Sequence, residues 1–243
     1  MSDQREPPWL TSLVAHEPKA PYMAPYMAYL LLLMLNDVFP TSLRWLAILL
    51  HIALASYVTW LFRHHLPPLG RPHWILAIVV GLIAAWGWVA GQHAVNGVVI
   101  AGHDLGGWLP FYPGSAKPYN PHVDYGDGAA FWVYVSAKIT RACTIVPIVE
   151  EIFWRGFILR AFVNWDRFEK VPWGQFAWRA MIGSALISVI QHPANWIVSI
   201  GCWLLFNALF YWKKSLLCLM ITHAVTNLAL YIYVVRAGDW QFW

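Results

Sequence analysis

The sequence predicts an all-α membrane protein, a polytopic bundle of about seven or eight transmembrane helices. Two observations predict this fold class. First, 59% of the 243 residues are hydrophobic and only 12% are charged, and tryptophan alone occurs 17 times. A water-soluble domain of this size could not bury so much apolar surface. Second, the chain contains apolar runs close to the roughly 20 residues that a helix needs to cross a bilayer.

These apolar runs are the predicted membrane spans. In chain order they are residues 21–39, 43–62, 74–91, 129–162, 178–192, 196–212 and 215–235. The fourth run is too long for one helix that crosses perpendicularly, so it is either strongly tilted or extends past the bilayer. In the first run, Pro21 and Pro25 suit the start of a helix, where the missing N–H costs no hydrogen bond.

The same pattern divides the chain into four parts. Residues 1–20 form an N-terminal tail without the apolar core and cleavage site of a signal peptide, so we expect the tail to be retained. Residues 21–128 carry three spans and a long external loop at 92–128, which we expect to be a plain connection. Residues 129–235 form the core that carries the intramembrane polar groups, and residues 236–243 form a C-terminal tail.

Lysine and arginine indicate the orientation of the bundle. If the N-terminus is cytoplasmic, the cytoplasmic segments hold ten of these residues and the external segments hold three. The ten are Arg5, Lys19, Arg63, Arg71, Arg160, Arg167, Lys170, Arg179, Lys213 and Lys214, and the three are Arg44, Lys117 and Arg236. Positive charge concentrates on the cytoplasmic side of membrane proteins. We therefore predict a multi-pass protein of the cell (inner) membrane with a cytoplasmic N-terminus and an external C-terminus.

Composition also argues against some classes of partner. The formal net charge is only +4 and no basic stripe is present, so we predict no nucleic-acid partner. Cys143, Cys202 and Cys218 all lie in apolar runs and lack the spacing of a disulfide framework or of a metal knuckle. We therefore expect packed thiols at these three positions.

Two glutamates and an arginine interrupt the fourth run, in VEEIFWRGFILR at residues 149–160. Ionisable side chains inside a membrane span are costly, and each is therefore a candidate for function. Glu151 and Arg155 are four residues apart on one helix face, so we expect them to pair. Glu150 is rotated by about 100° from Glu151 and can face a cavity, where a carboxylate can take a proton from water.

Two later spans carry histidines that can join Glu150. His192 precedes Pro193 at the end of one span, and His223 and Asn227 are four residues apart in the last span. Counted from the predicted cytoplasmic ends, these polar residues all lie about 12–21 Å deep. We therefore expect them to meet in one cavity that cytoplasmic water can reach. A carboxylate and a histidine there can deprotonate water, and a second histidine with an amide can stabilise an oxyanion.

The order of these residues resembles the CPBP family of membrane peptidases, which contains the type II CAAX prenyl endopeptidases. The family motifs are E-E-x-x-x-R, F-x-x-x-H and H-x-x-x-N or D, on separate transmembrane helices. The matching residues are Glu150, Glu151 and Arg155 for the first motif and His223 and Asn227 for the third. The second motif is half matched, because His192 has Ser188 at the minus-four position instead of Phe. The resemblance covers residues 129–235.

The resemblance implies an intramembrane endopeptidase of the glutamic type that works without a cofactor. The implied roles are water activation by Glu150 and His192, oxyanion binding by His223 and Asn227, and support of the geometry by Glu151 and Arg155. The implied partners are the lipid bilayer and a protein or peptide substrate. Cleavage would occur near the C-terminus of a membrane-associated or lipidated protein, or of a protein with a C-terminal sorting tail.

Three alternatives stay open from the residues. Glu150, His192 and His223 can be read as zinc ligands that leave a water position open, although the H-E-x-x-H pattern of intramembrane zincins is absent. Ser184 with His223 can be read as a serine peptidase pair. The polar groups can also be read as the relay or ligand site of a transporter or non-catalytic receptor, although no repeated half is visible.

Overall fold

The structure is a computed structural model that describes residues 6–110 and 118–243, without the side chains of Leu35 and Asp37. Its α-helices are α1 (Pro8–His16), α2 (Ala20–Leu32), α3 (Leu35–Val38), α4 (Arg44–Leu61), α5 (Trp74–Val95), α6 (His122–Tyr125), α7 (Ala129–Cys143), α8 (Ile145–Glu151), α9 (Leu159–Ala161), α10 (Trp178–Ile187), α11 (Trp196–Lys213) and α12 (Leu216–Ala237). A π-helical segment, Ile152–Ile158, joins α8 to α9. Short 3₁₀ turns cover Thr41–Leu43, Phe168–Lys170, Ser188–Ile190, Pro193–Asn195 and Trp240–Phe242. The described chain is therefore mostly helical, as predicted.

Four helices in the described residues are long and apolar enough to cross a membrane. They are Thr41–Leu61, Trp74–Val95, Pro193–Lys213 and Leu216–Ala237. Each coincides with a predicted span, and together they fit an integral membrane protein. The other three predicted spans are shorter or interrupted, so the count of seven or eight crossings stays a prediction.

The first predicted span, 21–39, contains two helices. α2 has 13 residues and is followed by a turn and by the short α3. Pro21 lies in the first turn of α2 as predicted, but Pro25 lies inside the helix. Because Pro25 has no N–H, it leaves the carbonyl of Pro21 without its usual helical partner.

The long fourth run, 129–162, is interrupted at Thr144, between α7 and α8. Thr144 has φ −115° and ψ −81°, outside the helical region. Pro147 explains the break, because a proline ring inside a helix clashes with the carbonyl four residues earlier, here that of Cys143. The run then continues as α8, the π-helical segment and α9. The two glutamates therefore follow a bend instead of lying in the middle of one straight helix.

The fifth predicted span, 178–192, ends before His192. α10 stops at Ile187, one 3₁₀ turn follows, and His192 has φ −127° and ψ 58°. A residue before proline is excluded from the helical region by the proline ring, which accounts for this ending at Pro193. The apolar helix Trp178–Ile190 rises about 20–25 Å, less than the roughly 30 Å of hydrocarbon in a bilayer.

α5 packs closely on α12 through small residues. A methyl group on Gly81 would lie 2.7 Å from the carbonyl oxygen of Thr222, so only glycine permits this approach. The hydroxyl of Thr226 donates a hydrogen bond of 3.1 Å to the carbonyl of Gly81. The opposite face of α5 exposes large apolar side chains at helical spacing, which are Ile75, Ile78, Val79, Leu82, Ile83 and Trp86. Such a face suits contact with lipid tails.

The predicted external loop, 92–128, is more than a plain connection. It contains an antiparallel hairpin of β1 (Val99–Ile100) and β2 (His103–Asp104), with Val99 opposite Asp104. The N–H of Leu109 donates a 2.7 Å hydrogen bond to the carbonyl of Pro193. The loop therefore contacts the turn that carries His192.

Both predicted tails contain folded segments. In the N-terminal tail, α1 buries Leu10 almost completely. In the C-terminal tail, Asp239 lies 2.9 Å from Nε2 of His93 and accepts a 3.0 Å hydrogen bond from the hydroxyl of Tyr233. The C-terminal segment is thus held at the same end of the bundle as the loop 92–128, and the prediction puts both on the external side.

Candidate active site

The first motif lies where α8 ends and the π-helical segment begins. Glu150 and Glu151 are the last residues of α8, and Arg155 lies in the π-helical segment. Their residues are 4%, 0% and 0% exposed. Nη1 of Arg155 lies 3.1 Å from Oε2 of Glu151, so the predicted ion pair is present and fully buried.

The rest of the Arg155 guanidinium faces aromatic rings. The guanidinium carbon lies 5.3 Å from the ring centroid of Trp203 and 5.5 Å from that of Phe206. Its Nε and Nη2 atoms have no hydrogen-bond partner among the described residues. Aromatic faces attract a cation, and the attraction is stronger where water is excluded. Arg155 is therefore held by one carboxylate and two aromatic side chains of α11.

His223 of α12 lies between the two glutamates. Its Nδ1 is 2.9 Å from Oε1 of Glu151, and its Nε2 is 4.0 Å from Oε2 of Glu150. Because an ionised carboxylate can only accept hydrogen bonds, Nδ1 is the protonated nitrogen in this contact. Nε2 then faces Glu150 across a gap that is too long for a direct hydrogen bond.

Gln191 holds Glu150 on its other side and is missing from the residues predicted from sequence. Its side-chain N–H donates to Oε1 of Glu150, and its own oxygen accepts a 3.1 Å hydrogen bond from Nε1 of Trp154. Trp154 thereby selects the orientation in which the amide N–H points at the carboxylate. The only signal in the sequence is that Gln191 is adjacent to His192 in the turn before Pro193.

His192 lies in the same region, between two tryptophans. Its ring centroid is 5.2 Å from that of Trp88 and 5.4 Å from that of Trp203. Ser188, which stands where the family motif has Phe, is fully buried and donates to the carbonyl of Ala185 at 2.7 Å. Its hydroxyl is also 3.4 Å from the hydroxyl of Ser199, so this position serves the packing of the 3₁₀ turn Ser188–Ile190 on α11.

Asn227 lies one turn beyond His223 on α12. Its side-chain N–H donates a 2.7 Å hydrogen bond to the carbonyl of Ala142, in the last turn of α7. Carbonyls in the last turn of a helix lack intrahelical partners, and Asn227 satisfies one of them next to the bend at Thr144. A primary amide carries two N–H groups, so one donor of Asn227 is free for another acceptor.

One cavity of about 1040 Å³ connects these groups. The polar side chains in its lining include Glu150, Gln191, His192, His223 and Asn227. The four residues predicted to be catalytic therefore do meet, as the depth argument predicts. Glu151 and Arg155 lie behind them and outside the lining.

The far end of the cavity bears on the predicted access from cytoplasmic water. It is lined by Gly106, Trp108 and Tyr119 of the loop 92–128 and by Trp240 and Trp243 of the C-terminal tail. The sequence places those segments on the external side, so the predicted orientation and the predicted access from cytoplasmic water do not agree, and both stay predictions. The sequence-based depths ignore the loop and the tail, which fold over the end of the bundle.

The structure bears differently on the zinc alternative and on the serine alternative. In the described residues no three His, Cys, Asp or Glu side chains are grouped as a metal-ligand set, although Glu150, His192 and His223 line one cavity. Ser184 is 1% exposed, donates to the carbonyl of Ala180 and accepts from the amide of Asn207. Ser184 is absent from the cavity lining, so the serine pair with His223 that the alternative requires is not formed.

Comparison with known proteins finds a family model that is similar to the core of the chain. A family model described as type II CAAX prenyl endopeptidase Rce1-like matches residues 132–229. The matched stretch runs from α7 into α12 and contains the whole Glu150–Asn227 constellation. No curated protein and no solved structure matches the chain.

Proposed function

We propose that this chain is an intramembrane endopeptidase of the glutamic type, and the match of residues 132–229 to the type II CAAX prenyl endopeptidase Rce1-like family supports a membrane protease. In this proposal Glu150 is the general base that activates a water molecule. The observation that carries it is the 4.0 Å gap between Oε2 of Glu150 and Nε2 of His223, inside the cavity. A gap of this length suits one water that bonds to both groups.

The reaction is a direct hydrolysis. Glu150 takes a proton from the bound water, and the resulting hydroxide adds to the carbonyl carbon of the peptide bond. The tetrahedral intermediate collapses when Glu150 returns the proton to the leaving nitrogen. The products are a new carboxylate and a new amine, and no covalent bond to the protein forms.

The geometry supports a modified distribution of roles around Glu150. The resemblance pairs Glu150 with His192, but His223 is the histidine whose ring nitrogen lies within 4.0 Å of the Glu150 carboxylate. We therefore propose that His223 shares the water with Glu150. His192 and the free N–H of Asn227 then stabilise the oxyanion from the remaining sides of the cavity.

Glu151 and Arg155 position His223 in this proposal. The carboxylate of Glu151 accepts from Nδ1 of His223 and pairs with Arg155 at the same time. A carboxylate that binds one ring nitrogen of histidine selects the tautomer and orients the other nitrogen. No metal ion or other cofactor is required for any of these steps.

The proposed substrate is a membrane-associated or lipidated protein, or a protein with a C-terminal sorting tail, cleaved near its C-terminus. The family supports a protein substrate in a bilayer. The cavity supports it as well, because the walls around Glu150 include Tyr26, Trp88 and Phe153, which suit apolar residues of a substrate.

Replacement of Glu150 tests the proposal. Intact masses of membrane proteins from cells with and without this chain identify a processed protein, whose tail then serves as substrate for purified enzyme. We expect Glu150→Gln to lower the hydrolysis rate by at least about a hundredfold, because the amide cannot take a proton. Glu169→Gln, at an exposed carboxylate outside the cavity, is the matched control and should keep the wild-type rate.

Two outcomes would contradict the proposal. A Glu150→Gln protein that hydrolyses the tail at the wild-type rate would remove Glu150 from the mechanism. If no membrane protein changes mass when the chain is absent, the chain has no processed substrate in these cells, and the transporter or receptor alternative is favoured.

A further inference from the structure

Two cations line the cavity without a carboxylate partner. Lys138 and Arg141 are three residues apart on α7, which places them on one helix face, and both belong to the cavity lining. Arg141 is only 9% exposed. No Asp or Glu of the described residues lies within 4.0 Å of either side chain, whereas Arg155 has its ion pair with Glu151.

The neighbours of these cations orient them but do not neutralise them. Nζ of Lys138 lies 4.1 Å from the ring centroid of Trp243 and 5.8 Å from that of Tyr231. Nη1 of Arg141 lies 3.4 Å from Nδ1 of His51, which is itself buried. Two neighbouring positive charges in a mainly apolar cavity repel each other, and an unpaired buried charge is costly. An anion bound between them would remove both penalties.

The distance from this pair to Glu150 suits a short peptide. Arg141 precedes Glu150 by nine positions, which would correspond to about 13 Å along a straight helix, and the bend at Thr144 makes this value an upper bound. An extended peptide covers about 3.3 Å per residue, so at most about four residues span the separation. The same cavity connects the two sites without leaving the protein.

We propose that Lys138 and Arg141 bind the C-terminal carboxylate of the substrate. The enzyme then removes a short C-terminal peptide whose length is measured from that carboxylate. This inference rests on the proposed peptidase function and names the part of the substrate that the cavity recognises. A carboxylate is favoured over a lipid phosphate because Arg141 is buried inside the cavity that contains Glu150, and because guanidinium and carboxylate groups pair through two parallel hydrogen bonds.

Peptides with and without a terminal charge test the proposal. The probes are three peptides that copy the C-terminal segment of the processed protein, including its cleavage site. One is the free acid, one is the C-terminal amide, and one is the acid lengthened by one residue at its C-terminus. We expect kcat/KM to be about 10- to 100-fold higher for the acid than for the amide, the range of a charged hydrogen bond. We expect the cut in the lengthened acid to move by one bond along the internal sequence toward the added residue, so that the released peptide keeps its length, as read from product masses.

Variants then connect the preference to the two cations. Lys138→Gln and Arg141→Gln should each reduce the acid-to-amide ratio toward one. Lys170→Gln, which removes an exposed cation outside the cavity, should leave the ratio unchanged. Arg141→Lys keeps the charge in case Arg141→Gln does not fold, and it should retain a preference for the acid.

The possible failures are distinguishable. Equal cleavage of acid and amide by the wild type, or a cleavage site that stays with the internal sequence in the lengthened peptide, would overturn the carboxylate site and leave the peptidase function intact. The carboxylate site would also be overturned if Lys138→Gln changed the difference in hydrolysis rate between anionic and zwitterionic vesicles but left the acid-to-amide ratio unchanged. That result would indicate that the cations bind a lipid phosphate. If the wild type cleaves none of the peptides, the peptidase function itself fails.

Discussion

Nδ1 of His223 lies 2.9 Å from Oε1 of Glu151, the same carboxylate that forms the buried ion pair with Arg155. A line of contacts therefore runs from Arg155 through Glu151 and His223 to Glu150. Each member comes from α12 or from the junction of α8 with the π-helical segment. π-helical turns recur at functional sites, where they change the direction of side chains relative to an α-helix.

Glu151→Gln should reduce stability as well as rate. The variant leaves the Arg155 charge buried without a counter-ion, which costs about 3–5 kcal/mol when a buried pair is broken. It also removes the carboxylate that orients His223. Thermal unfolding in detergent measures the loss of stability, and hydrolysis of the identified tail measures the rate.

The double variant Glu151→Gln/Arg155→Met is the control for the charge effect. It removes both charges and should unfold at a higher temperature than Glu151→Gln alone, while its hydrolysis rate stays low. A single variant with wild-type thermal stability would argue that the ion pair contributes nothing to the fold.

Gln191→Ala should lower kcat with little change in KM. The replacement removes the hydrogen bond to Oε1 of Glu150, and a bond to a charged acceptor corresponds to about 10- to 100-fold in rate. Gln175→Ala, at an exposed amide outside the cavity, should behave like the wild type. A rise in KM at constant kcat would instead assign Gln191 to substrate binding.

Purified protein should contain no stoichiometric zinc and should stay active after dialysis against a strong chelator. His223→Ala should lower the rate by about 10²- to 10³-fold, because it removes a group that binds the reacting water. Elemental analysis provides the metal content. One zinc per chain, with activity lost on its removal and restored on its return, would establish the alternative in which Glu150, His192 and His223 bind the metal.

A reporter fused after Trp243 should lie outside the cytoplasm, and one inserted between Lys213 and Lys214 should lie inside. The reason is the excess of Lys and Arg in the predicted cytoplasmic segments. Two of the counted residues, Arg5 and Lys117, lie outside the described residues, and the orientation depends on the remaining eleven as well. If both reporters lie on the same side, α12 does not cross the membrane.

Reversed reporters would carry a different consequence. They would show that the cavity, whose far end is lined by the loop 92–128 and the C-terminal tail, opens to the cytoplasm. The substrate would then have to present its tail on that side of the membrane.

Local relations in this protein can be read from the sequence. The pairing of Glu151 with Arg155 follows from a spacing of four residues on one helix, whatever surrounds the helix. The four long apolar helices follow from run length and composition. The meeting of Glu150, His192 and His223 in one cavity is also predictable, because counting from the predicted cytoplasmic ends of their spans gives the three residues similar depths.

Three features depend on contacts between residues distant in the chain. Gln191 has no pattern of its own, and its role appears only when the turn before Pro193 faces Glu150. The sequence predicts a plain connection for the loop 92–128, and only the structure shows the backbone hydrogen bond between this loop and Pro193. His223 becomes the neighbour of Glu150 because α12 packs against α8, and no spacing in the sequence indicates which histidine that will be.

The sequence by itself determined that the chain suits a membrane, where the four long helices lie, that Glu151 pairs with Arg155, and that the four residues predicted to be catalytic share one cavity. These depend on composition, on helical period and on the cost of charges in hydrocarbon, and all three are properties of a single segment. Only the tertiary structure decided which histidine faces Glu150, what holds that carboxylate, and which end of the bundle the cavity reaches. Those outcomes depend on the bends at Thr144 and His192 and on how the helices rotate against one another, since a rotation of one helix by a single residue redirects its side chains by about 100°.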